Sequence, residues 1–337
     1  MIRRQLLRPV LPVVLVLVAV LVVVVARDDR MGSRAGGPAD ICDTDQGDVA
    51  AVGAGVRPAA SPGSAKQVPT PGELSDQGFE LTWSDEFEGD SLDERTWSTR
   101  ECWNDSPGFV NDSQAWLPFP ATSDNVVQRE GVLRLQARKG EEATERGQVM
   151  TTAMLTTRER FDTFRHGVVE ARMKIPTGRG LWPAFWLMGN GTGTQGWPQT
   201  GEIDIFEFVN NASGGTGRMY SSVHWGGIVD GVATSHDSAS KSVEVPWWGE
   251  DEFHTFSLHR TSEFLRFYVD GQQVLELLPG EKIDDYPASV PDDGPLFEDP
   301  MHVRLSLEVG GPWAGQGHKP AAYEPGDLVV DYVRAWK

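Results

Sequence analysis

From Phe79 to the C-terminus, apolar residues recur with a period of two, and no segment sustains a helical period. Short alternating runs are separated by turn residues roughly every 8 to 15 positions. "GVLRLQAR", "GVVEARMKI", "MHVRLSLEV" and "LVVDYVRAW" each read as one strand. "FLRFYVDGQQVLEL" reads as two, joined at Asp270-Gly271, the kind of pair that tight hairpin turns favour. Many short strands with few helices restrict the chain to an all-β sandwich or jelly roll.

One of these strands carries too much charge. "GEIDIFEF", residues 201–208, sets Glu202, Asp204 and Glu207 among large apolar residues. Alternation puts Glu202 and Asp204 on one face and Ile203 and Ile205 on the other. Strict alternation would bury Glu207 with the isoleucines, where an unpaired charge is costly. One extra residue, a β-bulge at Ile205-Phe206, returns Glu207 to the acidic face. Three carboxylates so close cannot all ionise cheaply, so a proton is expected to stay near neutral pH. One acid and one base or nucleophile are what glycoside hydrolysis requires. Glu202 and Glu207 then lie about 13 Å apart along the backbone. Inward-leaning side chains could close that to about 5–5.5 Å, the separation of retaining enzymes. Read alone, the same residues also fit an acidic exposed strand face or a site for a hard cation.

Upstream, "GRGLWPAFWLMG" places Trp182 and Trp186 on one strand face by parity, with Phe185 on the other. Downstream, "SSVHWGG" brings His224 onto the next strand, within reach of the acids. The chain has 12 Trp, and exposed indoles in a cleft make platforms for the C–H faces of sugar rings. A net charge of −19 argues against nucleic acid or an anionic membrane surface as partner.

The N-terminus reads differently. Arg3, Arg4 and Arg8 precede an apolar run from Val10 to Ala26, so residues 1–26 are expected to be a signal peptide or an uncleaved membrane anchor. Residues 27–75 are rich in Gly, Ala, Pro and Ser and read as an extended linker. Residues 76–337 form the folded domain. The two cysteines, Cys42 and Cys102, are expected to pair in an exported protein.

The segments "LTWSDEF", "HGVVEARMKIPTGRGLWPAFWLMG", "GEIDIFEF", "FHTFSLH", "FYVDG", "LSLEVGGPWAG" and "LVVDYVRAW" occur in the order found in family 16 glycoside hydrolases. The chain resembles their laminarinase-type endo-β-1,3-glucanases from about residue 79 to 337. The resemblance implies a concanavalin-like β-jelly-roll sandwich with an open concave cleft, and retaining double displacement on a polysaccharide. It implies Glu202 as nucleophile, Glu207 as acid/base and Asp204 as the acid assisting the nucleophile. His224 matches a histidine beside the acid/base. Asn111, Trp182, Trp186 and Trp313 match sugar-binding positions. No catalytic cofactor is implied. A structural Ca²⁺ is, held by backbone carbonyls of Glu86 and Gly131 and the carboxylate of Asp331, all hard oxygen donors. A secreted or anchored monomer is expected, with no nucleic-acid partner and no membrane contact beyond the N-terminal segment.

The pattern also departs from the family. Met154 stands where an arginine commonly lines the donor side, and His259-Arg260 replaces a usual Glu-Trp pair. These departures leave the glycan open among β-1,3-glucan, other β-glucans and galactans, and leave transglycosylation open beside hydrolysis. A non-catalytic β-glucan-binding module is disfavoured, because all three acids are present.

Overall fold

The computed structural model describes Leu74 and residues 78–99, 123–139, 150–157, 164–190, 196–210, 217–229, 232–282, 289–292, 294–314 and 322–337. The apolar N-terminal segment, most of the linker, both cysteines and Asn111 lie outside the described residues.

Among the described residues two antiparallel sheets stack face to face. The larger runs in the order β13 (Gln272–Leu277), β12 (Leu265–Val269), β11 (His254–Arg260), β6 (Gly167–Lys174), β15 (Gly326–Trp336), β3 (Val132–Lys139) and β2 (Val126–Arg129). β1 (Leu81–Asp85) also pairs with β15, and β4 (Met150–Thr151) with β3. The smaller sheet runs β10 (Val232–Glu244), β9 (Arg218–Val229), β8 (Glu202–Phe208), β7 (Leu181–Gly189), β14 (Met301–Val309) and β5 (Ala153–Thr156). This is the jelly-roll sandwich that the strand pattern requires.

The two sheets meet through alternate residues. Val169, Ala171 and Met173 of β6, Phe256 and Leu258 of β11, and Ile203, Phe206 and Phe208 of β8 are buried in one shared core. The Phe206 and Phe256 rings close the gap at 4.2 Å between centroids. Each such ring contributes about 1.5–3 kcal/mol by leaving water. The β12–β13 hairpin turns at Asp270 and Gly271, whose φ of 48° and 75° suit a type I′ turn. Pro183 sits inside β7, but the β7–β8 ladder runs only from Ala184 to Met188, so its missing N–H lies outside that ladder.

Arg260, one of the two departures on β11, is fully buried. Its guanidinium donates to the backbone oxygens of Arg165, Pro295, Leu296 and Asp299. Burial lowers its pKa to about 10, which keeps it charged at neutral pH. A cation so placed is tolerated because carbonyls answer its donors, and it ties the loop before β14 to the larger sheet.

Candidate active site

The bulge is present. Against β7, Phe206 pairs with Phe185 and Asp204 with Trp186, so Ile205 is the extra residue. Glu202, Asp204 and Glu207 therefore face Met188, Trp186 and Ala184, three positions of one parity. Gly201 permits the entry to β8: its φ is 75°, and a Cβ there would meet Pro295 Cβ at 3.0 Å.

The registers arrange the outer face of the smaller sheet in rows. One row runs Met154, Ser306, Ala184, Glu207 and Tyr220 across β5, β14, β7, β8 and β9. The next runs Thr156, Arg304, Trp186, Asp204 and Ser222. A third runs His302, Met188, Glu202 and His224. Glu308 lies opposite Trp182 at the other end. The acids thus occupy successive rows in the middle of the sheet, and Ala184 leaves room above the first of them.

Each glutamate has an indole beside it. Trp182 Nε1 donates to Glu207 Oε1 at 2.9 Å. Trp197, in the turn before β8 and 38% exposed, hydrogen-bonds Glu202. Trp313, on the single helical turn α1 (Gly311–Ala314), meets Trp182 edge-on at 5.1 Å and Tyr220 at 4.9 Å. Trp186 is placed differently from an open platform. It is only 9% exposed, donates from Nε1 to Ser306 Oγ at 3.2 Å, and carries the Arg304 guanidinium 4.7 Å above its ring. Its role in this geometry is to shape the cleft wall and hold Arg304 near Glu202. Met154 is buried in the row of Glu207.

His224 lies across from Glu202, and its Nε2 is 3.2 Å from Asp204 Oδ2. Its Nδ1 is 2.9 Å from His236 Nε2. Burial opposes the charge on His224, but Asp204, Glu202 and Glu207 outweigh it and raise the pKa to about 9. The imidazolium then donates from both nitrogens, while burial and His224 lower the pKa of His236 and leave it neutral as the acceptor. Burial and the Asp204 charge raise Glu202 to about 8, against His224, Arg304 and the Trp197 donor. Burial, Asp204 and Glu202 raise Glu207 well above the carboxylate range, against His224 and the Trp182 donor. Burial and mutual repulsion between these carboxyls hold a proton in the cluster near neutral pH. An asymmetric pair of this kind can supply one carboxylate and one carboxylic acid at the same pH.

Glu202, Asp204 and His224 each offer one ligating atom within 4.8 Å of the others, a set that could hold a divalent ion. Such an ion would have to displace the proton on His224, which already supplies positive charge there.

The strand registers put the expected Ca²⁺ donors at neighbouring positions. β3 pairs with β15 up to Val330, and β1 from Val333, so Asp331 and Tyr332 fall in the gap between the two ladders. Glu86 follows β1, and Gly131 turns into β3 at φ 72°, on either side of that gap. Asp331 Oδ2 accepts from Arg172 Nη1 at 2.7 Å, and the Glu86 carboxylate accepts two bonds from Arg334. A cation there would draw on backbone carbonyls and would share the Asp331 carboxylate with Arg172.

Trp197, Arg304 and Glu308 are cleft residues that sequence reasoning does not find. Trp197 carries a local signal, a Trp-Pro just upstream of Gly201-Glu202. Arg304 and Glu308 carry none, because the β7–β14 register alone decides what they face.

The family model for glycosyl hydrolases family 16 matches residues 115–333. A beta-glucanase of Rhodothermus marinus is 34% identical over 267 residues, covering 77% of this chain and 85% of that protein. The laminarinase catalytic domain of Thermotoga maritima superposes with a TM-score of 0.60 at 28% identity, over 77% of this chain and 98% of that one. A keratan-sulfate endo-1,4-beta-galactosidase of Sphingobacterium multivorum is 28% identical over 77% of this chain, which spans 55% of that relative's length. The chain belongs to glycosyl hydrolases family 16, a family of retaining, endo-acting enzymes that need no catalytic cofactor.

Proposed function

We propose that this enzyme is an exported endo-β-1,3-glucanase in which Glu202 is the nucleophile and Glu207 the acid/base. The observation that carries the reading is the single-residue bulge at Ile205, which aligns both glutamates with Asp204 between them. Glu207, whose carboxyl is pushed well above the usual range, gives its proton to the glycosidic oxygen as that bond breaks. The Glu202 carboxylate attacks the anomeric carbon from the opposite side and forms a glycosyl ester. Glu207, now a carboxylate, takes a proton from water. The resulting hydroxide oxygen bonds the anomeric carbon and releases Glu202, with overall retention. Asp204, tied to His224, steadies Glu202 between these steps. Trp182 and Trp313 offer ring surface for sugar beside Glu207, and Asn111 is assigned to the same cleft by family resemblance.

Laminarin, lichenan, agarose and desulfated keratan should be compared, with product sizing and anomer analysis. Oligosaccharides of retained β configuration from laminarin support the reading. Cleavage of a galactan with laminarin intact would replace it by an endo-galactosidase, the reading that the 28% identical keratan-sulfate relative favours.

Export rests on the apolar segment 10–26 and its preceding arginines. A monomer is part of the proposal. So is a structural Ca²⁺ at the gap beside Asp331, which would tie β1, β3 and β15 together. Added Ca²⁺ should raise the melting temperature, and Asp331→Asn should remove that rise. A rise of the same size in the variant would place the ion elsewhere.

A further inference from the structure

One carboxylate on the cleft face has no part in the two displacement steps. Glu308 shares parity on β14 with Ser306 and Arg304, whose contacts with Trp186 fix that side as the cleft side. It lies directly across the ladder from Trp182, the indole bonded to Glu207. Its side chain is half-buried, and its Oε2 is shielded from water with no hydrogen-bond partner among the described residues. Burial and the Asp204 charge raise its pKa to about 7, with Arg304 opposing. Arg304 is held elsewhere, with Nε 3.2 Å from His302 Nε2 and its guanidinium on Trp186.

A carboxylate with one oxygen shielded and undonated is under-stabilised, and the shielded Oε2 is as closed to substrate as to water. A ligand therefore meets only the rest of this half-buried group, and Trp182 adds no donor, since its Nε1 is committed to Glu207. A neutral sugar ring over Trp182 carries hydroxyl donors at its edge. A sulfated ring carries acceptors and negative charge there, in a cleft already crowded with carboxylates.

We propose that Glu308 is the specificity-determining residue of the Trp182 subsite, accepting hydrogen bonds from hydroxyls of a neutral sugar and rejecting sulfated rings. The proposal rests on the β-glycanase reading and refines its substrate class.

The test measures kcat/KM on laminarin and on laminarin sulfate at mildly alkaline pH, where Glu308 is ionised. It compares wild type, Glu308→Gln and Glu308→Ala. Glu308→Gln keeps the side-chain volume, and its melting curve reports whether it folds. The wild type should strongly prefer laminarin, and the preference should fall about tenfold or more in Glu308→Gln, through loss on laminarin and gain on the sulfate. A preference unchanged within about twofold in the folded Gln variant overturns the proposal. So does a wild type that prefers the sulfated form. If the wild type leaves laminarin intact, the β-1,3-glucan reading fails separately. The same comparison is then made on the neutral glycan that it cuts and the sulfated form of that glycan.

Discussion

Both sheets bury charge on their outer faces, but they treat it in opposite ways. On the larger sheet, Tyr332 Oη donates to Glu170 at 2.8 Å, Arg334 grips Glu86 through two bonds, and Arg172 holds Asp331. Each carboxylate there has a donor of its own, and the set cross-links β1, β6 and β15. On the smaller sheet, Glu202, Asp204, Glu207 and Glu308 share one imidazolium and one guanidinium, with indoles at two of them. Giving each carboxylate a donor of its own serves the fold, even where burial raises the carboxyl, as it does Glu170 to about 7. Crowding carboxylates around too few cations holds protons where a reaction can use them, at some cost in stability.

The comparison breaks most visibly at the glutamates. Glu202→Gln and Glu207→Gln should each lower turnover by about a thousandfold or more, with melting temperature unchanged or higher, because each relieves repulsion. Near-normal turnover in either variant would refute its assigned role. Arg334→Met should do the reverse, costing about 2–3 kcal/mol in denaturant unfolding while kcat/KM holds, since it leaves Glu86 and Glu170 without their cation. A large kcat loss at full stability would show that the larger sheet is coupled to the chemistry.

A smaller effect is expected in the pH dependence of melting. Glu202 rises from an ordinary 4.5 to about 8 in the folded chain, so the stability it contributes is full below 4.5 and is lost as pH climbs through 8. His224 rises from 6.5 to about 9, so its contribution is full below 6.5 and is lost through 9. Wild-type melting temperature should therefore fall across that range, and Glu202→Gln should flatten the decline by a few degrees. An equal slope would mean that Glu202 is not held protonated. The smallest shift belongs to Trp182→Phe. Losing the N–H that favours ionised Glu207 should move the alkaline limb of the kcat/KM profile to higher pH; a downward move would contradict the bond.

Legibility in the sequence followed the range of the forces involved. Period-two runs, the Asp270-Gly271 turn and the misphased Glu207 are local signals, and each marks a real element. The facing of Trp182, Ala184 and Trp186 onto the acids follows from parity on adjacent strands. Arg304, Ser306 and Glu308 come more than a hundred residues later, and only the β7–β14 ladder brings them beside the acids. Trp186 shares parity with Trp182, yet Arg304 and Ser306 claim its ring and N–H. Arg260 stands out in the sequence as a departure, but its purpose depends on four carbonyls from two distant segments.

The extra residue at Ile205 also limits how such a site can change. A pleated strand has two phases, and substitution cannot move a residue from one to the other. Deleting Ile205 would remove the bulge and leave Glu-Ile-Asp-Phe-Glu in plain alternation, with Phe206 still opposite Phe185 and Glu207 still opposite Ala184, so the acids would keep the cleft face. What the present length cannot do without is the bulge: straightened, a strand that still held Ile205 would turn Glu207 to the core and Phe208 to the cleft.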